Sequence, residues 1–239
     1  MKRICVFCGS SRGADGAYME CAKALGRELA QRGIGLVYGG ARIGLMGAIA
    51  ASCLECGGSV TGIMPEHLVA MGVANRDITE LITVASMHER KSLMNEMSDG
   101  FITLPGGIGT MDEIFETITL MQLGLHDKPV GLLNIHTYYD SLLSFLGHMA
   151  REKFIRQEHL DMLIVDTDAR RLLDAFANYR HVPEDKWANP ETETAAPPPD
   201  SETSANMFFY YSPERFRRVW FRQHIDESIL VILPHYGIV

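Results

Sequence analysis

The sequence predicts an α/β protein: a doubly wound, mostly parallel, Rossmann-like sheet with helices on both faces. Two observations predict it. Short apolar runs alternate with segments of helical period from the first residues onward, as in a parallel sheet covered on both sides. Glycine-rich turns also recur at the carboxyl ends of the apolar runs, at Gly9-Ser10-Ser11, Gly39-Gly40 and Gly106-Gly107-Ile108-Gly109. Ligands of such sheets bind outside the carboxyl ends of the strands, so one crevice lined by all three turns is expected.

The elements follow in order. Arg3 to Phe7 is an apolar run and the first strand. Tyr18, Cys21, Ala22, Leu25, Leu29 and Ala30 recur at helical spacing, and Gly33 ends that helix. Ile34 to Tyr38 is the second strand, and Gly44 to Cys56 a helix closed by Gly57-Gly58. Ser59 to Met64 is the third strand, stopped by Pro65, and Glu66 to Thr79 is polar and irregular. Leu81 to Ala85 is a strand, Met87 to Ser98 a helix, Phe101 to Leu104 a strand and Met111 to Leu123 a helix. Pro129 to Leu133 is the sixth strand, followed by a helix from Tyr138 to Glu152. Leu163 to Val165 and Asp168 to Tyr179 are the last strand and helix.

Residues 1–182 therefore read as one domain. Residues 183–206 change character, with Pro190, Pro197, Pro198 and Pro199 among Glu, Thr and Ala, and read as an acidic extended linker. In the tail, 207–239, Ser212-Pro213-Glu214 resembles a helix start, with Phe216, Val219 and Trp220 beside several arginines. It reads as a segment packing on its own domain or on a sister subunit, in preference to a partner-binding or membrane-surface helix.

The net charge of -8 argues against general nucleic-acid binding. No apolar stretch is long enough to span a membrane or to act as a signal peptide, and a cytoplasmic protein is expected. The five cysteines are an odd number in a presumed reducing compartment, so no disulfide framework is expected. Two pairs, Cys5/Cys8 and Cys53/Cys56, have zinc-like spacing. In a strand that spacing points side chains to opposite faces, and on a helix small thiols pack readily as apolar groups, so no metal site is expected.

Two nucleotide-binding devices can be tested against the glycine turns. Gly39-Gly40-Ala41-Arg42-Ile43-Gly44 has P-loop glycine spacing, but Leu45-Met46 stand where Lys and Ser or Thr would hold phosphates and Mg²⁺. The first turn, Gly9-Ser10-Ser11-Arg12-Gly13, lacks the dinucleotide fingerprint, and no acid ends the second strand.

The most informative run is Leu104-Pro105-Gly106-Gly107-Ile108-Gly109-Thr110-Met111-Asp112-Glu113. Glycines between a strand and a helix N-terminus leave backbone N–H groups open to an anion. Thr110-x-x-Glu113 also reads as a capping box, with Thr110 the cap of a helix that needs no ligand. The basic pair in Met87-His88-Glu89-Arg90-Lys91 is not explained by capping, because cations at a helix N-terminus oppose its dipole. An anionic ligand, or the Glu113 carboxylate, would explain it. Glu116 shares a helix face with Glu113, as a second crevice acid or as a solvated surface residue. His88 is a candidate that more often packs or caps.

These motifs resemble the Lonely Guy family, the cytokinin riboside 5′-monophosphate phosphoribohydrolases often formerly labelled lysine decarboxylases. The resemblance rests on Pro105-Gly106-Gly107-Ile108-Gly109-Thr110-Met111-Asp112-Glu113 and Met87-His88-Glu89-Arg90-Lys91. It continues through Gln122 to Asn134, Cys8-Gly9-Ser10-Ser11, Tyr38-Gly39-Gly40 and Gly44-Leu45-Met46-Gly47. It covers about residues 1–182 and leaves out the linker and tail. Asp112 stands where the family often has Glu.

The resemblance implies hydrolysis of the N-glycosidic bond of an adenine-type nucleoside 5′-monophosphate, N6-modified ones included, giving free base (cytokinin or adenine) and ribose 5-phosphate. It implies Arg90 and Glu113 as the catalytic pair. Gly106, Gly107, Gly109 and Thr110 would hold the phosphate with the turn of Gly9 and Ser10, and Gly40, Met87, Lys91 and Glu116 would complete the substrate site. A fixed carboxylate suits this chemistry, because cleaving an N-glycoside builds positive charge on the ribose. Arg90 would anchor the substrate and hold Glu113 ionised. No metal or organic cofactor is implied, and the implied assembly is a homodimer. The base pocket is expected on Met87, residues 66–79 and a partner subunit. A broad purine or pyrimidine monophosphate nucleosidase and a non-catalytic nucleotide-binding module are the alternatives. The decarboxylase label would need pyridoxal phosphate on a lysine, and no lysine has a recognisable setting for it.

Overall fold

A computed structural model of the chain describes residues 1–181, and the expected linker and tail lie outside the described residues. Among the described residues seven strands form one sheet in the order β4-β3-β2-β1-β5-β6-β7. They are β1 (Arg3–Phe7), β2 (Gly35–Tyr38), β3 (Val60–Pro65), β4 (Glu80–Val84), β5 (Phe101–Thr103), β6 (Val130–Leu133) and β7 (Leu163–Asp166). Every neighbouring pair is parallel. The doubly wound sheet expected from the alternating apolar runs is therefore present.

Among the described residues eight α-helices connect or follow the strands: α1 (Gly16–Gln31), α2 (Gly44–Glu55), α3 (Glu66–Ala70), α4 (Met87–Glu96), α5 (Ile108–Gln122), α6 (Asp140–Arg151), α7 (Gln157–Asp161) and α8 (Ala169–Asn178). Successive residues of the central strands point to opposite faces. Ile4, Val6, Leu36, Tyr38 and Ile102 pack with α1, α2 and α8. Cys5, Phe7, Val37, Phe101 and Leu132 pack with α4, α5 and α6. Each wholly buried Leu or Ile in these layers stabilises the fold by roughly 1.5–3 kcal/mol.

Cys5 and Cys8 fall in different layers, as a spacing of three in a strand requires. Burial first, and the nearby Glu113 second, push both thiols upward, so they pack as neutral groups.

Three expectations need correction, and one helix was not anticipated. Residues 66–79 are not wholly irregular, because α3 starts directly after Pro65, whose extended backbone serves as its N-cap. Helix α7 had no expectation at all. Both helices have five residues, too few to show a repeating apolar period. Helix α6 starts at Asp140 rather than Tyr138, because a 3₁₀ turn at Ile135–Thr137 precedes it and Asn134 binds both Tyr139 N–H and the Asp140 carboxylate. Helix α5 starts at Ile108, not Met111, with Gly107 as its N-cap. Thr110 is therefore inside the helix and is not its cap.

The strand order places the site. The chain runs outward from β1 to β4, then returns to the other side of β1 with β5. The crevice between the carboxyl ends of β1 and β5 is the topological switch point, where ligands of such sheets bind.

Candidate active site

At that switch point the three glycine turns meet. Gly9 N–H donates to Pro105 O at 3.1 Å, and Gly9 O accepts from Leu45 N–H at 3.1 Å. The turn after β1 is thus bonded to both the turn after β5 and the start of α2. Ser10 is exposed beside Gly44, whose position leaves no room for a side chain against the Ser10 backbone. Gly106 is equally constrained: a Cβ there would collide with the Thr110 hydroxyl and lie 2.9 Å from Gly9 N.

Gly107 and Gly109 are different. A Cβ at either would meet no protein atom within 4 Å, and neither has a positive φ. Neither packing nor backbone strain requires glycine, and glycine within a helix costs roughly 0.5–1 kcal/mol. What glycine gives here is open backbone. Helices α1, α4 and α8 are capped by the side chains of Asp15, Ser86 and Asp168. Gly107 offers α5 no capping side chain, so the first N–H groups of α5 face the crevice mouth unblocked and can bind an anion.

One turn further along α5, Glu113 is 5% exposed. Its carboxylate meets Arg90 of α4, with Nη1 to Oε1 at 3.1 Å. Arg90 is 6% exposed and also donates from Nε to the Ile63 carbonyl within β3, at 3.0 Å. Its other terminal nitrogen lies over Gly39, where any side chain would collide with it. Two carboxylates flank the pair. Lys91 Nζ bridges them, at 3.0 Å to Asp112 and 2.7 Å to Glu116.

The charges decide the protonation of Glu113. Burial is the largest influence and pushes its carboxyl up to about 7; Arg90 works against this, Asp112 adds to it, Lys91 opposes it and Glu116 adds to it. The sequence expectation that Arg90 holds Glu113 ionised gives only the sign of one contribution, because burial outweighs it. A carboxyl poised near neutrality can exchange a proton during a reaction. Burial opposes the charge of Lys91, but Glu116 and Asp112 hold its ammonium protonated above the usual lysine range.

The remaining expected site residues are accounted for individually. Met87 is 38% exposed at the start of α4, with its sulfur 3.9 Å from Arg90 Nη1. Gly40 has φ +80 and faces β3, so its glycine serves the backbone turn. Glu116 is half-buried and paired with Lys91. His88 is exposed. Among the described residues no group of three or more His, Cys, Asp or Glu is placed to hold a metal ion.

A family model described as "Possible lysine decarboxylase" matches residues 46–176. A cytokinin riboside 5′-monophosphate phosphoribohydrolase of Arabidopsis thaliana is 46% identical over 178 residues, covering 74% of this chain and 83% of that protein. A probable enzyme of the same name from Oryza sativa subsp. japonica is 44% identical over 191 residues, 78% of this chain and 76% of that protein. The chain belongs to the Lonely Guy family. The fold has a wider spread. The molybdenum cofactor binding protein of Rippkaea orientalis superposes with a TM-score of 0.58 at 20% identity, over 74% of this chain and 97% of that one. The molybdenum cofactor carrier protein of Chlamydomonas reinhardtii gives 0.56 at 18%, over 74% and 96%. At such identities the likeness is one of fold.

Two supports of this Lonely Guy site escape a linear reading. Gly39 reads as a turn residue, whereas its place is set by the Arg90 guanidinium. The Ile63 carbonyl that anchors Arg90 has no sequence signal, since any residue supplies a carbonyl. The Arg90–Glu113 partnership itself was open to reading, as a basic residue without a capping role facing an acid in the same crevice.

Proposed function

We propose that this protein is a phosphoribohydrolase that splits a nucleoside 5′-monophosphate of the adenine type, N6-modified adenosine 5′-monophosphate included, into free base and ribose 5-phosphate. The observation that carries the reading is the buried Arg90–Glu113 pair one turn beyond an uncapped, glycine-opened helix start. Phosphate sits on the first N–H groups of α5, against Gly106, Gly107, Gly109 and Thr110, with the Gly9–Ser10 turn opposite. Glu113 then faces the ribose.

As the N-glycosidic bond breaks, positive charge grows on the sugar, and the ionised carboxylate of Glu113 stabilises it. The same carboxylate takes a proton from water as its oxygen bonds to the anomeric carbon and the electron pair of the broken bond leaves with the base, and it then returns that proton to the base nitrogen. Burial makes the interaction stronger than it would be in water. Arg90 fixes the carboxylate, and Lys91 neutralises the two outer acids so that their repulsion of the substrate phosphate is reduced. Lys91 is the lysine next to the site, and two carboxylates keep it protonated, whereas a pyridoxal Schiff base needs a neutral amine. The decarboxylase description therefore finds no support in the site. The relatives' names support the cytokinin riboside 5′-monophosphate reading of the base. None of the eight α-helices is long and apolar enough to cross a membrane among the described residues, and the proposed location is cytoplasmic. The proposed assembly is a homodimer.

The test is product analysis with AMP, isopentenyladenosine monophosphate and UMP. Equimolar base and ribose 5-phosphate from the adenine nucleotides, with little from UMP, is expected. Equal turnover of UMP would show a broad nucleosidase, and tight binding without any released base would show a sensing module.

A further inference from the structure

The turn after β6 touches both the glycine turn after β5 and the start of α1. Tyr138 donates its hydroxyl to the carbonyl of Gly106 at 2.6 Å. Its ring packs edge-on against Tyr18 of α1, with centroids 5.8 Å apart, and against Tyr139 at 4.9 Å. Tyr139 in turn donates to Leu104 O at 2.6 Å, so two consecutive tyrosines hold two carbonyls of the run that leads into the cradle. Beside them His136 Nδ1 pairs with Asp15 at 3.0 Å. Asp15 and Tyr18 lie at the start of α1, beyond the loop that carries Gly9 and Ser10, and Asp15 also caps α1 through Ala17 N–H.

The backbone beneath this tie is strained. His136 and Thr137 are consecutive non-glycine residues in the left-handed region, with φ 49 and 57. For a β-branched threonine that conformation is costly and persists only where surrounding contacts impose it. The imposing contacts are present. Asn134 is held by Asp166 O, and its side chain takes both Tyr139 N–H and the Asp140 carboxylate. Strain of this kind, kept beside a binding cradle, sets the direction of the next side chain, which is Tyr138.

We propose that Tyr138 is a positioning residue for the phosphate cradle, holding the Gly106 carbonyl in the orientation that aims the following N–H at a phosphate. The reason is geometric. A trans peptide holds its N–H antiparallel to its C=O. A hydroxyl that fixes the Gly106 carbonyl therefore fixes the direction of the Gly107 N–H, at the N-cap glycine of α5, which has no capping side chain. Gly106 and Gly107 have no side chains with which to resist rotation of that peptide. Tyr138 supplies the restraint from outside, and Tyr18 restrains Tyr138. The inference rests on the phosphate cradle of the proposed function.

The test uses the full-length chain and two uncharged changes, so that neither alters the field felt by an anion. Tyr138→Phe removes the hydroxyl and keeps the ring. Tyr18→Leu removes the ring contact and keeps the hydroxyl. Calorimetric affinity for ribose 5-phosphate and for inorganic phosphate is measured beside KM, kcat and Tm. Tyr138→Phe is expected to weaken both ligands about 3- to 10-fold, the range for one lost hydrogen bond, with KM raised similarly and kcat changed less than about two-fold. Tyr18→Leu is expected to weaken both in the same direction by less. Unchanged affinities in both variants, or a lowered Tm with unchanged affinity, would overturn the inference. If the unaltered protein binds neither ligand, the cradle and the inference fall together; if it binds and the variants bind equally well, the inference alone falls.

Discussion

Arg90 and Glu113 meet at 3.1 Å although both side chains are almost wholly buried and they come from different helices. The approach is arranged from three directions. Ile63 O holds Arg90 from β3, Gly39 leaves it room from the turn after β2, and α5 carries Glu113 in from the turn after β5. A buried pair of this kind is weak evidence for added stability, because desolvation opposes the attraction. Its worth lies in the carboxyl it leaves poised near neutral pH.

That poise has a stability signature. Folding raises the Glu113 carboxyl from 4.5 to about 7. Between those values the folded protein binds more protons than the unfolded chain, so the contribution of Glu113 is fully present below pH 4.5 and is lost as pH rises through about 7. Glu113→Gln has no such loss. Its stability relative to the unaltered protein should therefore rise by about 2–3 kcal/mol from about pH 5 to about pH 8. Urea unfolding at the two pH values measures this; a constant difference contradicts it.

Lys91 opposes the upward shift of Glu113. If the ionised carboxylate is the active form, kcat/KM rises with pH through a limb near 7, and Lys91→Met moves that limb to higher pH. A pH–rate profile of both proteins decides the sign. A limb that moves to lower pH would remove Lys91 from the account.

Gly39 touches Arg90 and is assigned no contact with substrate. Gly39→Ala should displace the guanidinium and lower kcat about ten-fold or more, an effect comparable to other losses of one fixed electrostatic partner. Arg90→Ala should in addition destabilise the fold by about 3–5 kcal/mol, because it leaves the Glu113 carboxyl buried without its partner. Steady-state kinetics with denaturant unfolding separates the two outcomes.

Gly109 lies in α5 with open space around it. Gly109→Ala should stabilise the protein by about 0.5–1 kcal/mol while weakening phosphate binding. Raised Tm with raised KM is the expected pair of results. Raised Tm with unchanged KM would mean that phosphate does not approach this face of the helix.

The fold was legible because strands buried on both faces leave apolar runs that alternate with helical periods. Helix starts were less legible. The spacing of Thr110 and Glu113 reads as a capping box, but capping needs an N-cap side chain and the chain puts Gly107 there instead. Thr110 lies three positions inside the helix, with its hydroxyl against Gly106. Lys91 read, with Arg90, as part of a basic pair for an anionic ligand or for Glu113, and the structure pairs it with Asp112 and Glu116, the two acids one helix face brings beside it. Gly39, Ile63 and Tyr138 were not legible as supports. Each acts through a contact between distant segments, and two of the three act on or through a backbone carbonyl that carries no sequence signal. The five-residue helices α3 and α7 are too short to show periodicity.

The most direct test of the account compares the unaltered protein with Glu113→Gln on the adenine nucleotide it turns over best, with ribose 5-phosphate affinity measured for both. The account predicts base release reduced about 10²–10³-fold or more in the variant, with ribose 5-phosphate bound nearly as well. Full turnover by Glu113→Gln, or absence of released base from the unaltered protein, would contradict it.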